Sequence, residues 1–149
     1  MYRHILIPLE NSATDEIILD HVRSHHPEPH VRFTLLHVAD GHAARNYERL
    51  HLAPSPEMIA DKAYLERRQQ ELADAGFTVD AELELGDPAE KIIALAEKSG
   101  CDLIAMGTHG HGFFADLFFG SVSRTVRHGT SIPVLLVRAH AKSRIPRSK

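Results

Sequence analysis

Apolar runs alternate with amphipathic stretches along the whole chain. His4-Ile5-Leu6-Ile7-Pro8-Leu9 is a short, nearly unbroken apolar run, the pattern of a strand buried on both faces. Ile17, Ile18 and Val22 then recur at helical spacing behind Ser12 or Thr14 as cap, with Asp15 and Glu16 in the first turn, where acidic groups favour a helix N-terminus. His25-His26-Pro27-Glu28-Pro29 stops that helix, and Val31 to Val38, β-branched and aromatic, predicts the second strand. Residues 40–56 show no period and read as a long irregular loop. Glu57 to Ala75 follows as a charge-laced helix stopped by Gly76, and Phe77 to Leu85 alternates apolar and polar as a half-exposed edge strand does. Gly86-Asp87-Pro88-Ala89-Glu90 combines a turn, a cap and a proline at the first helical position. The helix it opens presents Ile92, Ile93, Leu95 and Ala96 to the sheet. Cys101 to Met106 predicts a fourth strand, Ser121 to His128 a last helix, and Ile132 to Val137 a closing strand that Pro133 marks as a sheet edge. Five strands alternating with four helices predict an α/β fold, an open parallel sheet with helices on both faces.

Between the fourth strand and the last helix the chain reads Gly107-Thr108-His109-Gly110, nine residues, then Gly120-Ser121. A strand that delivers a glycine-rich loop onto a helix start suits a phosphate. Glycines allow close backbone approach, and the unpaired N–H groups of a first helical turn point at an anion. Ser121 adds a hydroxyl where the helix is expected to begin. The loop follows a strand's carboxyl end, the edge at which open α/β sheets bind ligands.

Composition narrows the choice of partner. The 149 residues are 43% hydrophobic and 25% charged, with a net charge of −3 and a pI near 6.4, so nucleic acid is not the expected partner. No segment has the length of a membrane span, and Met1-Tyr2-Arg3-His4 leads straight into a strand. The single cysteine, Cys101, lies in an apolar run and has no internal disulfide partner. A cytoplasmic, soluble protein is expected, with one domain over residues 1–140 and a basic, frayed tail over 141–149. Histidine is the one excess, at twelve residues, and reads mainly as scattered surface imidazoles that would add positive charge below neutral pH.

The chain resembles the universal stress protein family over nearly its whole length. The resemblance rests on Gly107-x2-Gly110-x9-Gly120-Ser121, on Met106-Gly107-Thr108-His109-Gly110, and on Gly120-Ser121-Val122-Ser123. Ile5-Leu6-Ile7-Pro8, Gly86-Asp87-Pro88-Ala89 and Ile132-Pro133-Val134-Leu135-Leu136-Val137 agree with it. It implies a Rossmann-like sheet of order 3-2-1-4-5, a homodimer joined through Val134, Leu135, Leu136 and Val137, and binding of ATP, ADP or AMP, with magnesium as a possible companion. One branch of the family carries this glycine pattern and holds ATP. By that resemblance Gly107, Gly110, Gly120, Ser121 and Val122 hold ribose and phosphates, largely through backbone N–H groups. Pro8, Glu10 and the backbone at Val38 line the adenosine, and Leu9, Met106, His109, His111 and Ser123 complete the set. The chain departs from the family at Glu10-Asn11, where an aspartate and a small residue are usual, and at His111, where a basic residue often stands. With no Lys or Arg between Gly107 and Ser121, the phosphate charge falls to a divalent ion, to His109 or His111 when protonated, or to Arg124. Weaker binding, or a preference for AMP or ADP over ATP, is then expected.

Rival readings use the same residues differently. A slow ATPase or phosphotransfer protein could use the same site, but the loop lacks the Gly-x4-Gly-Lys pattern of P-loops. Asp87 and Glu90 read as helix-capping residues, and Asp116 as a solvated loop carboxylate. Leu117, Phe118 and Phe119 are expected to pack under the loop and clamp it to the sheet; the alternative is an exposed Phe113-Phe114 pair that docks a partner or buries at a subunit contact. A metal protein would use His25, His26 and His30, and a non-binding dimeric scaffold would use none of these residues for a ligand. The downstream partner is not encoded in any of these patterns.

Overall fold

A computed structural model of the chain describes residues 1–39, 53–109 and 117–139. In chain order its elements are β1 (His4–Leu9), α1 (Ala13–His25), β2 (Arg32–Ala39), α2 (Pro56–Asp74), β3 (Thr78–Leu85), α3 (Pro88–Ser99), β4 (Leu103–His109), α4 (Leu117–Gly129) and β5 (Val134–Ala139). The strands form one parallel sheet of order β3-β2-β1-β4-β5. The fold expected from the alternation of strands and helices, and the strand order implied by the resemblance, are both present.

Period-two alternation in β1 divides the core between the two sheet faces. Ile5, Ile7 and Leu9 join Phe33 and Leu35 on one face, under Ile18, Leu19 and Val22 of α1 and Tyr64, Leu65 and Leu72 of α2. Leu6, Leu36, Ile104 and Met106 occupy the other, under Ile92 and Ala96 of α3 and Val122 and Val126 of α4. Both edge strands, β3 and β5, are only partly buried. Asp87 caps α3 as expected, accepting from the Glu90 N–H at 3.0 Å.

Two boundaries move for physical reasons. β5 begins at Val134 because Pro133 has no N–H for the ladder, although its carbonyl still accepts from Ile104 at 3.0 Å. β4 begins at Leu103 because Asp102 turns its carboxylate back on the chain start. The Asp102 carboxylate accepts from the N–H of Arg3 at 2.9 Å and from that of His4 at 3.0 Å. Burial pushes the Asp102 carboxyl up, but those backbone donors outweigh it and hold the group below its ordinary range.

Asp102→Asn is expected to cost about 1–3 kcal/mol at pH 7, the worth of hydrogen bonds to a charged group. A depressed carboxyl pKa means this stabilisation is present above the ordinary carboxylate range and is lost as pH falls through the depressed value. The denaturant midpoints of the two proteins should therefore converge in acid. Parallel midpoints at every pH would contradict the assignment.

Candidate functional site

The sheet order reverses between β1 and β4, since the chain builds outward to β2 and β3 on one side and to β5 on the other. The crevice beyond the carboxyl ends at such a reversal is where ligands sit in open α/β sheets. Three features build this end of the molecule.

The first is the turn from β1 into α1. Asn11 adopts φ 61°, a left-handed conformation that asparagine tolerates better than most residues. Ser12 caps α1 with Asp15 as the reciprocal partner. Asp15 is only 2% exposed and its carboxylate gathers the whole turn. It accepts from the N–H groups of Glu10 at 3.0 Å, Asn11 at 2.8 Å and Ser12 at 3.3 Å, and from the Tyr64 hydroxyl at 2.5 Å. Burial pushes the Asp15 carboxyl up against the pull of these donors. Burial, and then the bond to Asp15, push the Tyr64 hydroxyl up to about 12. The Glu10 carboxylate in turn accepts from the hydroxyls of Ser12 at 2.6 Å and Thr14 at 2.7 Å.

The second feature is a pair of ties from α2. Arg68 donates to the Tyr64 oxygen at 3.3 Å and to Glu16 of α1 at 2.7 Å. His37, buried near the end of β2, donates from Nδ1 to the Leu9 carbonyl at 2.8 Å and sets Nε2 3.3 Å from the Asp61 carboxylate. The carbonyl only accepts, which fixes the proton on Nδ1. The mouth of the crevice is thus held from β1, β2, α1 and α2 together.

The third is the glycine pair. At Gly107 a Cβ would lie 3.1 Å from the Thr14 carbonyl oxygen and 3.2 Å from its Cβ. Glycine is needed there for β4 to pass the start of α1. At Gly120 a Cβ would meet no described atom within 4 Å, and the residue is exposed. No packing contact among the described residues requires glycine at that position.

Most of the candidate set is brought to this end. Pro8, Leu9 and Glu10 end β1, Val38 lies near the end of β2, and Met106 and Gly107 lead to the end of β4. Leu9, Val38, Met106 and Val122 are core residues, so only their backbone groups can face a ligand. Ser123 is buried too, and its hydroxyl donates to the Gly120 carbonyl at 3.1 Å. One expectation needs correction. α4 begins at Leu117 rather than Ser121, so Gly120 and Ser121 stand inside the helix. Leu117, Phe118 and Phe119 carry good enough helix propensity, and an interior glycine costs only about 1 kcal/mol. Gly110, His111, Phe113, Phe114 and Asp116 lie outside the described residues. So do the side chains of His109, Leu117, Phe118 and Phe119, residues 40–52 and the tail.

Sequence reasoning missed Asp15, Tyr64 and His37. The signal for Asp15 was present as a Ser-x-x-Asp capping box. Nothing local in sequence announces Tyr64, which lies 49 positions from its partner. The proposed histidine set is not assembled either. His30 contacts the Met1 sulfur at 3.3 Å, His26 packs edge-on against Tyr2, and His25 pairs with His21 instead. Among the described residues no three His, Cys, Asp or Glu side chains group to hold a metal, and no helix is long and apolar enough to cross a membrane.

The family model described as "Universal stress protein family" matches residues 1–138. The chain is 32% identical over 155 aligned positions to universal stress protein MJ0577 of Methanocaldococcus jannaschii, covering 93% of this chain and 96% of that one. The solved structure of MJ0577 aligns with a TM-score of 0.80 at 33% identity, over 95% of this chain and 99% of its own. The universal stress protein of Archaeoglobus fulgidus in complex with dAMP aligns at a TM-score of 0.66 and 19% identity, over 91% of this chain and 97% of its own. One solved with cAMP aligns at 0.62 and 17%, over 91% and 96%. At those identities the last two bear on the fold alone. On the extent of the family match and the likeness to MJ0577, the chain is a member of the universal stress protein family.

Proposed function

We propose that the chain binds an adenine nucleotide across the carboxyl ends of β1, β2 and β4 and acts as a nucleotide-responsive stress regulator. The observation that carries this reading is Gly120. It is an exposed glycine inside a helix, where alanine would be more stable, and no described atom lies within 4 Å of its Cβ position to explain it. Close approach of a ligand to the backbone accounts for it. Relatives of the same fold were solved with dAMP and with cAMP, which supports adenine nucleotide as the ligand class.

In this reading Gly107, Gly110, Gly120 and Ser121 approach ribose and phosphate, and Glu10, steadied by Ser12 and Thr14, accepts from ribose hydroxyls or the adenine amino group. Pro8 and the backbones of Leu9, Val38 and Met106 border the base. His109, His111, Val122 and Ser123 flank the phosphates. The described cation nearest in sequence to Ser121 is Arg124, exposed about two turns into α4, so charge on the phosphates is poorly offset unless magnesium accompanies them.

Calorimetric titration of nucleotide-free protein tests both parts. AMP and ADP should bind at least as tightly as ATP without metal, with ATP gaining when magnesium is added. ATP several-fold tighter than AMP without metal would contradict the charge argument, and no binding of any of the three would leave a dimeric scaffold. Pairing of two copies through Val134, Leu135, Leu136 and Val137 fits β5, a half-buried edge strand with unpaired backbone groups.

A further inference from the structure

The last turn of α1 carries His21 and His25, one helical turn apart on one face. Their rings are stacked face to face, with centroids 4.1 Å apart and planes 20° apart. His25 Nδ1 contacts the His21 carbonyl oxygen at 2.8 Å. A carbonyl only accepts, so the proton is on Nδ1 and the Nε2 lone pair is left available. An imidazole that donates its other N–H to a backbone carbonyl is oriented as metal-ligating histidines are. We propose that His21 and His25 form a two-imidazole site for a late first-row divalent ion such as Ni2+ or Zn2+.

Two further observations agree. Two nitrogens on one such ion sit roughly 3–3.4 Å apart, given bonds of ~2.1 Å, and the two rings, with centroids 4.1 Å apart, come to share an ion when they turn out of the stack about their side-chain torsions so that their in-plane lone pairs converge. The pair ends α1, where the helix dipole favours a cation.

The rings open on a groove of about 470 Å³ lined by Tyr2, His21, His25, His26, Pro133 and Val134, among others. Among the described residues no carboxylate, lysine or arginine lines it. The groove has room for waters to complete the coordination of an ion held by only two protein ligands. The pair stands toward the opposite end of α1 from Asp15, roughly 9 Å away at His21 and roughly 15 Å at His25, at 1.5 Å per residue, so metal uptake and nucleotide binding are separately testable.

The test is a titration of the untagged full chain with NiCl2 alone, followed by calorimetry and by the histidine ring signals in nuclear magnetic resonance. One equivalent of Ni2+ is expected, with broadening centred on the His21 and His25 rings. His21→Gln and His25→Gln should each weaken that equivalent at least tenfold, and His26→Gln should leave it in place. Circular dichroism of the variants, expected to match the parent, shows that the loss is not unfolding. Equal uptake by the His21→Gln/His25→Gln double variant, broadening centred on other histidines, or no uptake would each overturn the site.

Discussion

Asp15→Ala is expected to lower the stability of the protein by about 2–4 kcal/mol, because it leaves several N–H groups without their acceptor at once. The lost carboxylate serves Glu10, Asn11 and Ser12 of the turn and the Tyr64 hydroxyl of α2. In a chain of this length that corresponds to a fall of roughly 6–12 °C in melting temperature. Tyr64→Phe removes one of the four donors and leaves a satisfied carboxylate, so its cost should be nearer 1 kcal/mol. Asp15→Asn separates charge from shape, since one arm of the amide points a donor at donors.

The pH dependence of that variant has a definite sign. Burial raises the Asp15 pKa in the folded protein. Its contribution is therefore fully present below the ordinary carboxylate range and diminishes as pH rises through the raised value. The deficit of Asp15→Asn should be larger in mild acid than at pH 8. This is opposite to the trend at Asp102, whose carboxyl is depressed. Chemical denaturation of the parent and both asparagine variants across that range checks the pair of signs. A deficit at Asp15 that grows with pH would contradict the account of the turn.

Gly120→Ala should move stability and binding in opposite directions. With open space at its Cβ position and a helical backbone, alanine should stabilise the unliganded protein by up to about 1 kcal/mol. If the backbone there meets a nucleotide, the added methyl should weaken binding at least tenfold, about 1.4 kcal/mol, and Gly120→Val should weaken it further. Gly107→Ala provides the contrast. Its Cβ would press on the backbone of Thr14 at 3.1 Å, so it should cost stability before any ligand is added. Thermal denaturation beside nucleotide titration separates the two glycines. Unchanged affinity in both Gly120 variants would remove the argument from that glycine.

The fold was legible because buried strands and amphipathic helices leave different periods in the sequence. β1 announced itself by its apolar run, and α3 by the Asp87-Pro88 start that the structure keeps. Two of the altered boundaries show what a local pattern does not carry. Asp102 belongs to no strand because its carboxylate reaches back to Arg3 and His4, nearly a hundred residues away. α4 starts early because Leu117 to Phe119 continue the helix through a glycine that the spacing suggested would precede it.

Of the candidate site, only its place in the fold was legible. The glycine spacing and the ends of β1 and β4 pointed to one place, and the sheet order brings those ends together. What holds that place, the bond from Tyr64 to Asp15 and the contact of His37 with Leu9 and Asp61, joins residues from separate elements. Such contacts leave no periodic trace. The histidines make the same point. Adjacent His25 and His26 looked like a cluster, but helical geometry turns His25 toward His21, four positions earlier.

The most direct test of nucleotide binding at this crevice is a titration of the labelled protein with AMP and then ATP, followed by its backbone amide spectrum. Saturable shifts are expected at Glu10 to Thr14, at Val38, at Gly107 to His109 and at Gly120 to Ser123. Saturable shifts centred instead on the groove at Tyr2, His21 and Val134, or a spectrum unmoved by either nucleotide, would contradict it.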